Sequence, residues 1–270
     1  MLYDGHFPGY RQCTVEYHNY FHTLTVFAAA SRLIDGCILS GMELKSDDVS
    51  DILISALLHD VGYLQKSEDV IGTGAKNTKI HVDRSAAFAI RQATTFGLSP
   101  ERGPRVGRLI LGTDLGKQWD TFEFLDEMES RAAKILAAAD ILGQMADRAY
   151  LEKLLFLYHE FREAGFEGYL TAFDILKRTA SFYDSIKVRL DDTLGEVSHH
   201  YLEHFAKRFG IERDLYREAI ERHMAYLGSI LDDDTVNFRK KLKRLDLDAI
   251  EGYQKIDEKC PALAPLERKN

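Results

Sequence analysis

The sequence predicts an all-α protein, on three observations. Apolar residues recur at helical spacing through most of the chain, runs rich in Val, Ile and Thr are scarce, and only 5 of the 270 residues are proline. With 45% hydrophobic and 29% charged residues, the chain has the composition of a globular protein able to bury a large core.

Residues 14–35, TVEYHNYFHTLTVFAAASRLID, carry Phe21, Leu24, Phe27, Ala28 and Leu33 near a 3.6-residue period. This predicts a helix entered near Tyr17 and ended around Asp35 and Gly36. A second helix follows in SDDVSDILISALLHDVGYL, with Ser46, Asp47 or Asp48 as N-cap and His59 and Asp60 in the last turn. Residues 66–79, rich in Gly, Lys, Asn and Thr, read as a loop and a flexible rim. Its IGTGAKNT lacks the spacing of a P-loop and follows a helix rather than a strand.

HVDRSAAFAIRQATTFG is a third helix stopped at Gly97, and PRVGRLILGTDL a short fourth one after Pro104. The Ala-rich stretch from Met128 to Gly165 is strongly helical. Two or three amphipathic helices fill the chain to about 232, and CPALAPLERKN reads as a loosely held tail.

The net charge of −8 gives no basic field for a long nucleic acid, while a small phosphate ester stays compatible if bound cations supply positive charge. Cys13, Cys37 and Cys260 form no CxxC spacing, which fits reduced thiols. With no signal-like segment and no run of about 18 uncharged apolar residues, the expected location is cytoplasmic, without a membrane partner.

Histidines and aspartates interrupt the apolar stretches: His18 and His22, the pair His59-Asp60, His81, Asp114, and Asp140 after three alanines. A charged aspartate is almost never fully buried without a partner or a metal. Imidazole nitrogens with carboxylate oxygens form an N/O ligand set suited to one or two divalent ions: Mn, Mg, Fe, Ni, Co or Zn. Because neighbouring residues on a helix diverge by about 100°, His59 and Asp60 need ligands from other helices to close a site.

The order His22, His59-Asp60, Asp140 resembles the HD-domain superfamily of metal-dependent phosphohydrolases. More narrowly, YHNYFHTLTV, ALLHDVGY, LILGTDLG, KILAAADILGQ and LYHEFREAG resemble, in order, segments of the class I cyclic-nucleotide phosphodiesterases. The similarity covers roughly residues 14 to 165. It implies an HD-type helical bundle as residues 1–165, with a helical C-terminal extension, residues 166–270, packed on that core.

The resemblance also implies roles. His22, His59, Asp60 and Asp140 would ligate a first metal, Asp60 would bridge to a second, and His81 would hold the second. Asp114 would serve at the site mouth, and His18 would donate the proton to the leaving oxygen. Lys76, Lys79 and Arg84 are candidate phosphate-binding cations.

The expected activity is hydrolysis of a phosphate ester, a nucleotide-like diester, by metal-activated water. The alternatives are a nucleotidase-type phosphomonoesterase, a non-catalytic HD binding module and a di-iron HD oxygenase. The C-terminal helices could pack on the core, form a homodimer or bind another partner. His199, His200 and His204 give only an incidental helical pair, with no carboxylate placed by the sequence.

The chain departs from the phosphodiesterase pattern after the HD pair. It reads HDVGYLQ, with Tyr63 where that family has a further histidine, and no purine-clamping glutamine can be located. Nor does it carry the HHExxDGxGYP signature of the cyclic-dinucleotide branch.

Overall fold

A computed structural model describes residues 2–233 and 237–247; the C-terminal tail read from the sequence, with Cys260, lies outside the described residues. The described chain is all-α. It contains no strand, only an isolated bridge between Tyr10 and Lys66.

Helix α1, Tyr20–Leu39, begins where Asn19 accepts hydrogen bonds from the Phe21 and His22 amides. It therefore starts later than the apolar period suggests, and it runs past Gly36. That glycine is a packing contact rather than a stop, since a Cβ there would lie 1.8 Å from the His200 carbonyl oxygen.

Helix α2, Ser46–Leu58, is capped at Lys45, whose amide donates to Asp48 Oδ2 at 2.9 Å. The Asp48 carboxylate thus acts from inside the first turn. His59 closes the helix, and Val61–Tyr63 follow as a 3₁₀ turn. The loop after it is pinned rather than loose: Gln65 donates to three of its carbonyls, and Glu163 accepts from the Thr73 amide and hydroxyl.

Helix α3 is His81–Arg91, and Gly97 stands at φ 75° after a short 3₁₀ turn. Helix α4, Arg102–Leu111, takes Pro104 into its first turn, where the missing amide would have had no helical partner anyway.

The stretch from Met128 to Gly165 is broken into α5, Glu127–Ala146, and α6, Tyr150–Glu163. Asp147 makes the break, because its carboxylate accepts from the Ala149 amide at 2.7 Å and from Lys153 at 2.5 Å. Then come α7, Ala172–Val188, the short α8, Gly195–Ser198, α9, Tyr201–Phe209, and α10, Leu215–Leu231.

Helix α5 is the axis. Ala132, Ala133, Ile135, Leu136, Ala139 and Leu142 are all buried, so apolar side chains surround it, as in a helix with neighbours on every side. Helices α1, α2, α4 and α10 pack against it. One apolar core joins Val26, Leu33 and Leu142 to Tyr201, Leu227 and Ile230.

Helices α2 and α4 are locked by charge. Asp51, fully buried, accepts from Arg102 Nε at 2.9 Å and from Arg105 at 2.8 Å. Removing one member of a buried pair strands its partners. Asp51→Ala is expected to lower the unfolding free energy by about 3 to 5 kcal/mol in urea titration; a loss below about 1 kcal/mol would make the network a surface decoration.

Candidate metal centre

Three segments bring the candidate ligand side chains together. His22 comes from the first turn of α1, His59 and Asp60 from the end of α2, and Asp140 from the middle of α5. His22 Nε2 lies 3.1 Å from Asp60 Oδ2, 3.3 Å from His59 Nε2 and 3.5 Å from Asp140 Oδ1. His59 Nε2 lies 3.2 Å from Asp60 Oδ2 and 3.6 Å from Asp140 Oδ1.

The separations among His22, His59 and Asp60 fit one small cation, and Asp140 stands next to both imidazoles at the edge of that group. Ligands about 2.0–2.2 Å from a metal stand roughly 3.0 to 3.5 Å from each other in tetrahedral or octahedral arrangements. The donor chemistry fits as well. His59 Nδ1 is 2.9 Å from the Ala56 carbonyl, which accepts its proton and leaves Nε2 as a lone pair toward the carboxylates. Asp60 Oδ2 is buried and receives no hydrogen bond, an arrangement a carboxylate oxygen keeps when something cationic meets it.

The same carboxylates favour protons on the two imidazoles. Burial works against the charged forms of His22 and His59, but Asp60 and Asp140 outweigh it and raise both imidazoles above their ordinary value. Burial likewise opposes ionisation of Asp60 and Asp140, and the adjacent imidazoles overcome it and lower both.

His81 approaches the other oxygen of Asp60. Its Nδ1 is 2.6 Å from the Thr78 carbonyl, and its Nε2 stands 3.5 Å from Asp60 Oδ1. Burial lowers its pKa, only partly opposed by Asp60, so the neutral ring turns a lone pair toward a carboxylate. A second cation against Asp60 Oδ1 would remove that conflict.

Gly62 makes the approach of His81 possible, because a Cβ on it would lie 1.9 Å from the His81 carbonyl oxygen, at the start of α3. Gly62→Ala is expected to push α3 away. At saturating metal the bound equivalents should drop by the share that His81 holds, with the His22-His59-Asp60 group intact; two retained ions would remove this role from Gly62.

His18 lies before the Asn19 cap, outside α1, so it and His22 do not share a helix face as the sequence spacing suggests. Their rings nevertheless meet edge to face at 5.4 Å. His18 Nδ1 is 2.6 Å from Glu160 Oε2, and Glu160 Oε1 accepts from the Tyr17 amide at 2.8 Å. Tyr63 stacks on the His18 ring at 4.4 Å and lies 4.5 Å from the His81 ring.

Other expected participants lie elsewhere. The Asp114 carboxylate takes the Gly116 amide at 2.9 Å and Lys117 at 3.3 Å, turning within its own loop instead of to the histidines. Lys76 pairs with Asp69 and the Ile71 carbonyl. Arg84 donates to the Gly62 and Leu64 carbonyls at 2.7 and 2.9 Å, so it fastens the turn after Asp60 instead of standing ready for phosphate. Lys79 donates to the Gly165 carbonyl and covers the Phe166 ring. His204 does have a carboxylate, Asp35 at 2.7 Å, shared with Arg208 in an ion-pair cluster.

Glu160 is the functional candidate that sequence reasoning left without a role. Its signal is a carboxylate on the buried face of α6, among Leu154, Leu155, Phe156 and Tyr158. The Cys13 thiol, 3.9 Å from the His18 carbonyl, is pushed up to about 12 by burial, as is the thiol of Cys37 in the core. Among the described residues, no helix is long and apolar enough to cross a membrane.

A family model described as Npun_R2479-like matches residues 121–216. The matched segment contains Asp140 and Glu160, and His18, His22, His59, Asp60 and His81 precede it. No curated protein and no solved structure matches the chain.

Proposed function

We propose that the chain is a metal-dependent phosphohydrolase of the HD type, acting on a small phosphate ester, most simply a diester. One observation carries the reading: His22 and His59 stand 3.1 and 3.2 Å from a buried Asp60 oxygen that no hydrogen bond satisfies, with Asp140 Oδ1 3.5 and 3.6 Å from the same two imidazoles.

A divalent cation held by these four side chains, with a second between Asp60 and His81, would ionise a water at neutral pH and neutralise charge developing on phosphorus. The protein does the rest. The Ala56 and Thr78 carbonyls fix the His59 and His81 rings so that both Nε2 atoms turn inward.

Glu160 holds His18 by Nδ1, which leaves His18 Nε2 to deliver a proton to a departing alkoxide. This pair favours hydrolysis with an alkoxide leaving group over a binding module, which has no use for an oriented acid beside its ligands. A phosphomonoesterase would call instead for a free basic clamp, and Lys76 and Arg84 are both engaged with the protein.

Metal analysis of the purified protein, with turnover of bis(p-nitrophenyl) phosphate and p-nitrophenyl phosphate after Mn or Mg addition, tests the proposal. Bound metal with faster diester turnover is expected. Absence of metal together with absence of turnover would sink it, and a visible absorption band from an iron pair would move the reading to an oxygenase.

A further inference from the structure

The hydrogen bond to Glu160 fixes the His18 ring at one atom only. His18 Nδ1 is 2.6 Å from Glu160 Oε2, and since the χ2 torsion of a histidine has a broad minimum, that bond alone leaves the plane of the imidazole open. The direction of His18 Nε2 therefore depends on what lies against the ring. Tyr63 lies flat on it, with centroids 4.4 Å apart and planes 9° from parallel, and Tyr17 meets it edge to face at 4.8 Å and 62°.

Tyr63 is a wall that backbone holds in place. Its ring is 1% exposed and packs with Val15 and Ala75. Its amide donates to the Asp60 carbonyl at 3.1 Å, and Arg84 holds the carbonyls on either side of it, those of Gly62 and Leu64. Gly74 comes so close that a Cβ there would stand 2.1 Å from the Tyr63 carbonyl oxygen. The His81 ring, 4.5 Å from Tyr63 and 5.9 Å from His18, closes the group.

The hydroxyl of Tyr63 is not what anchors it. That oxygen is buried and has no hydrogen-bond partner among the described residues, an arrangement that opposes folding. What the site uses is the flat face.

We propose that Tyr63 is a positioning residue for proton transfer: its face sets the plane of the His18 imidazole, and together with the Glu160 bond this fixes where Nε2 delivers its proton. The inference rests on the phosphohydrolase reading. As the attacking hydroxide forms the new P–O bond and the old one breaks, the departing oxygen keeps the bonding pair and takes the Nε2 proton, which leaves a neutral imidazole held by Glu160. Misplacing a reacting group by about 1 Å can lower a rate roughly 10²-fold, so the plane of the ring matters as much as its distance.

The test compares Tyr63→Leu, apolar but without a flat face, with Tyr63→Phe, in full-length Mn-loaded protein on two diesters. Diethyl phosphate releases an alkoxide that needs the proton, and bis(p-nitrophenyl) phosphate a phenolate that does not. In Tyr63→Leu kcat on diethyl phosphate is expected to fall about 10²-fold, with KM and Mn content little changed and a far smaller loss on the aryl ester. Tyr63→Phe should restore the rate. In proton NMR of the metal-free protein the His18 ring protons should move downfield in Tyr63→Leu, where the shielding face is gone, and stay in place in Tyr63→Phe. Tyr63→Met, flexible enough to fill the same space, gives the same comparisons should Tyr63→Leu fail to fold.

Equal losses on both esters, or a loss of Mn that matches the loss of rate, would reduce Tyr63 to packing and overturn its role while the hydrolase reading stands. Tyr63→Phe as slow as Tyr63→Leu would move the role to the hydroxyl and overturn it too, as would wild-type turnover of the aryl ester alone. A wild type that turns over neither ester, with its His18 protons shielded, would sink the hydrolase reading and the positioning role with it.

Discussion

Asp60→Asn is expected to lower divalent-metal affinity more than about 100-fold, because loss of a residue that merely supports a ligand already costs roughly 10- to 100-fold. Asp60 meets both Nε2 atoms of the first group with one oxygen and His81 with the other, so on the proposed two-ion reading each ion would lose a ligand at once. Isothermal titration with Mn, beside elemental analysis, reads the effect, and wild-type affinity in the variant would remove Asp60 from the centre. The same measurement has a predicted pH dependence. Metal must displace the protons that the raised pKa values of His22 and His59 retain, so the apparent Kd should fall as pH rises.

Stability of the metal-free protein follows from the same shifts. His22 and His59, raised in the fold, contribute fully below their ordinary 6.5 and lose that contribution as pH rises through their folded values. Asp60 and Asp140, depressed in the fold, contribute above 3.8 and lose it as pH falls. The metal-free protein should be most stable between those two ordinary values, 3.8 and 6.5, and metal should extend the range upward.

The second large effect concerns the acid. His18→Ala is expected to reduce turnover of an alkyl diester, whose alkoxide needs a proton to leave, by about 10²- to 10⁴-fold, with little change in metal content. Glu160→Gln should give a smaller loss, since an amide can still accept from the Tyr17 amide but cannot pair with an imidazolium. A substrate with a p-nitrophenolate leaving group, which needs no proton, should be far less sensitive than an alkyl ester. Equal losses on both would mean that His18 acts by packing on Tyr63 rather than by giving up a proton.

The helices, and the meeting of His22, His59, Asp60 and Asp140, were legible because burial leaves a pattern in one dimension. The period of α1 and the isolated polarity of Asp140 follow from which face must leave water. Helix ends were less legible. Gly36 reads as a stop, yet it is kept small by the backbone of His200, a contact 164 residues away that no local rule contains. The break at Asp147 was hidden inside a continuous helical pattern, because a carboxylate closing a turn on Ala149 resembles any other helical aspartate. Arg84 shows the same limit from the other side, since its charge suggested phosphate and its geometry gives it to backbone carbonyls. Asp114 matched by motif, and its loop turns it to Lys117.

The two described cysteines turn the molecule into its own reporter of breathing. Burial pushes both thiols up to about 12, which keeps the thiolate scarce, but only Cys37 is buried, so its alkylation must wait for an opening. Cys37, inside the core beside α5, should label only at the rate of global opening. Cys13, partly buried beside the His18 carbonyl, should label faster than Cys37 and report on its own surroundings. Mass spectrometry of the two labelled peptides, with and without Mn, would then report how much a cation slows the excursions of one corner relative to the whole.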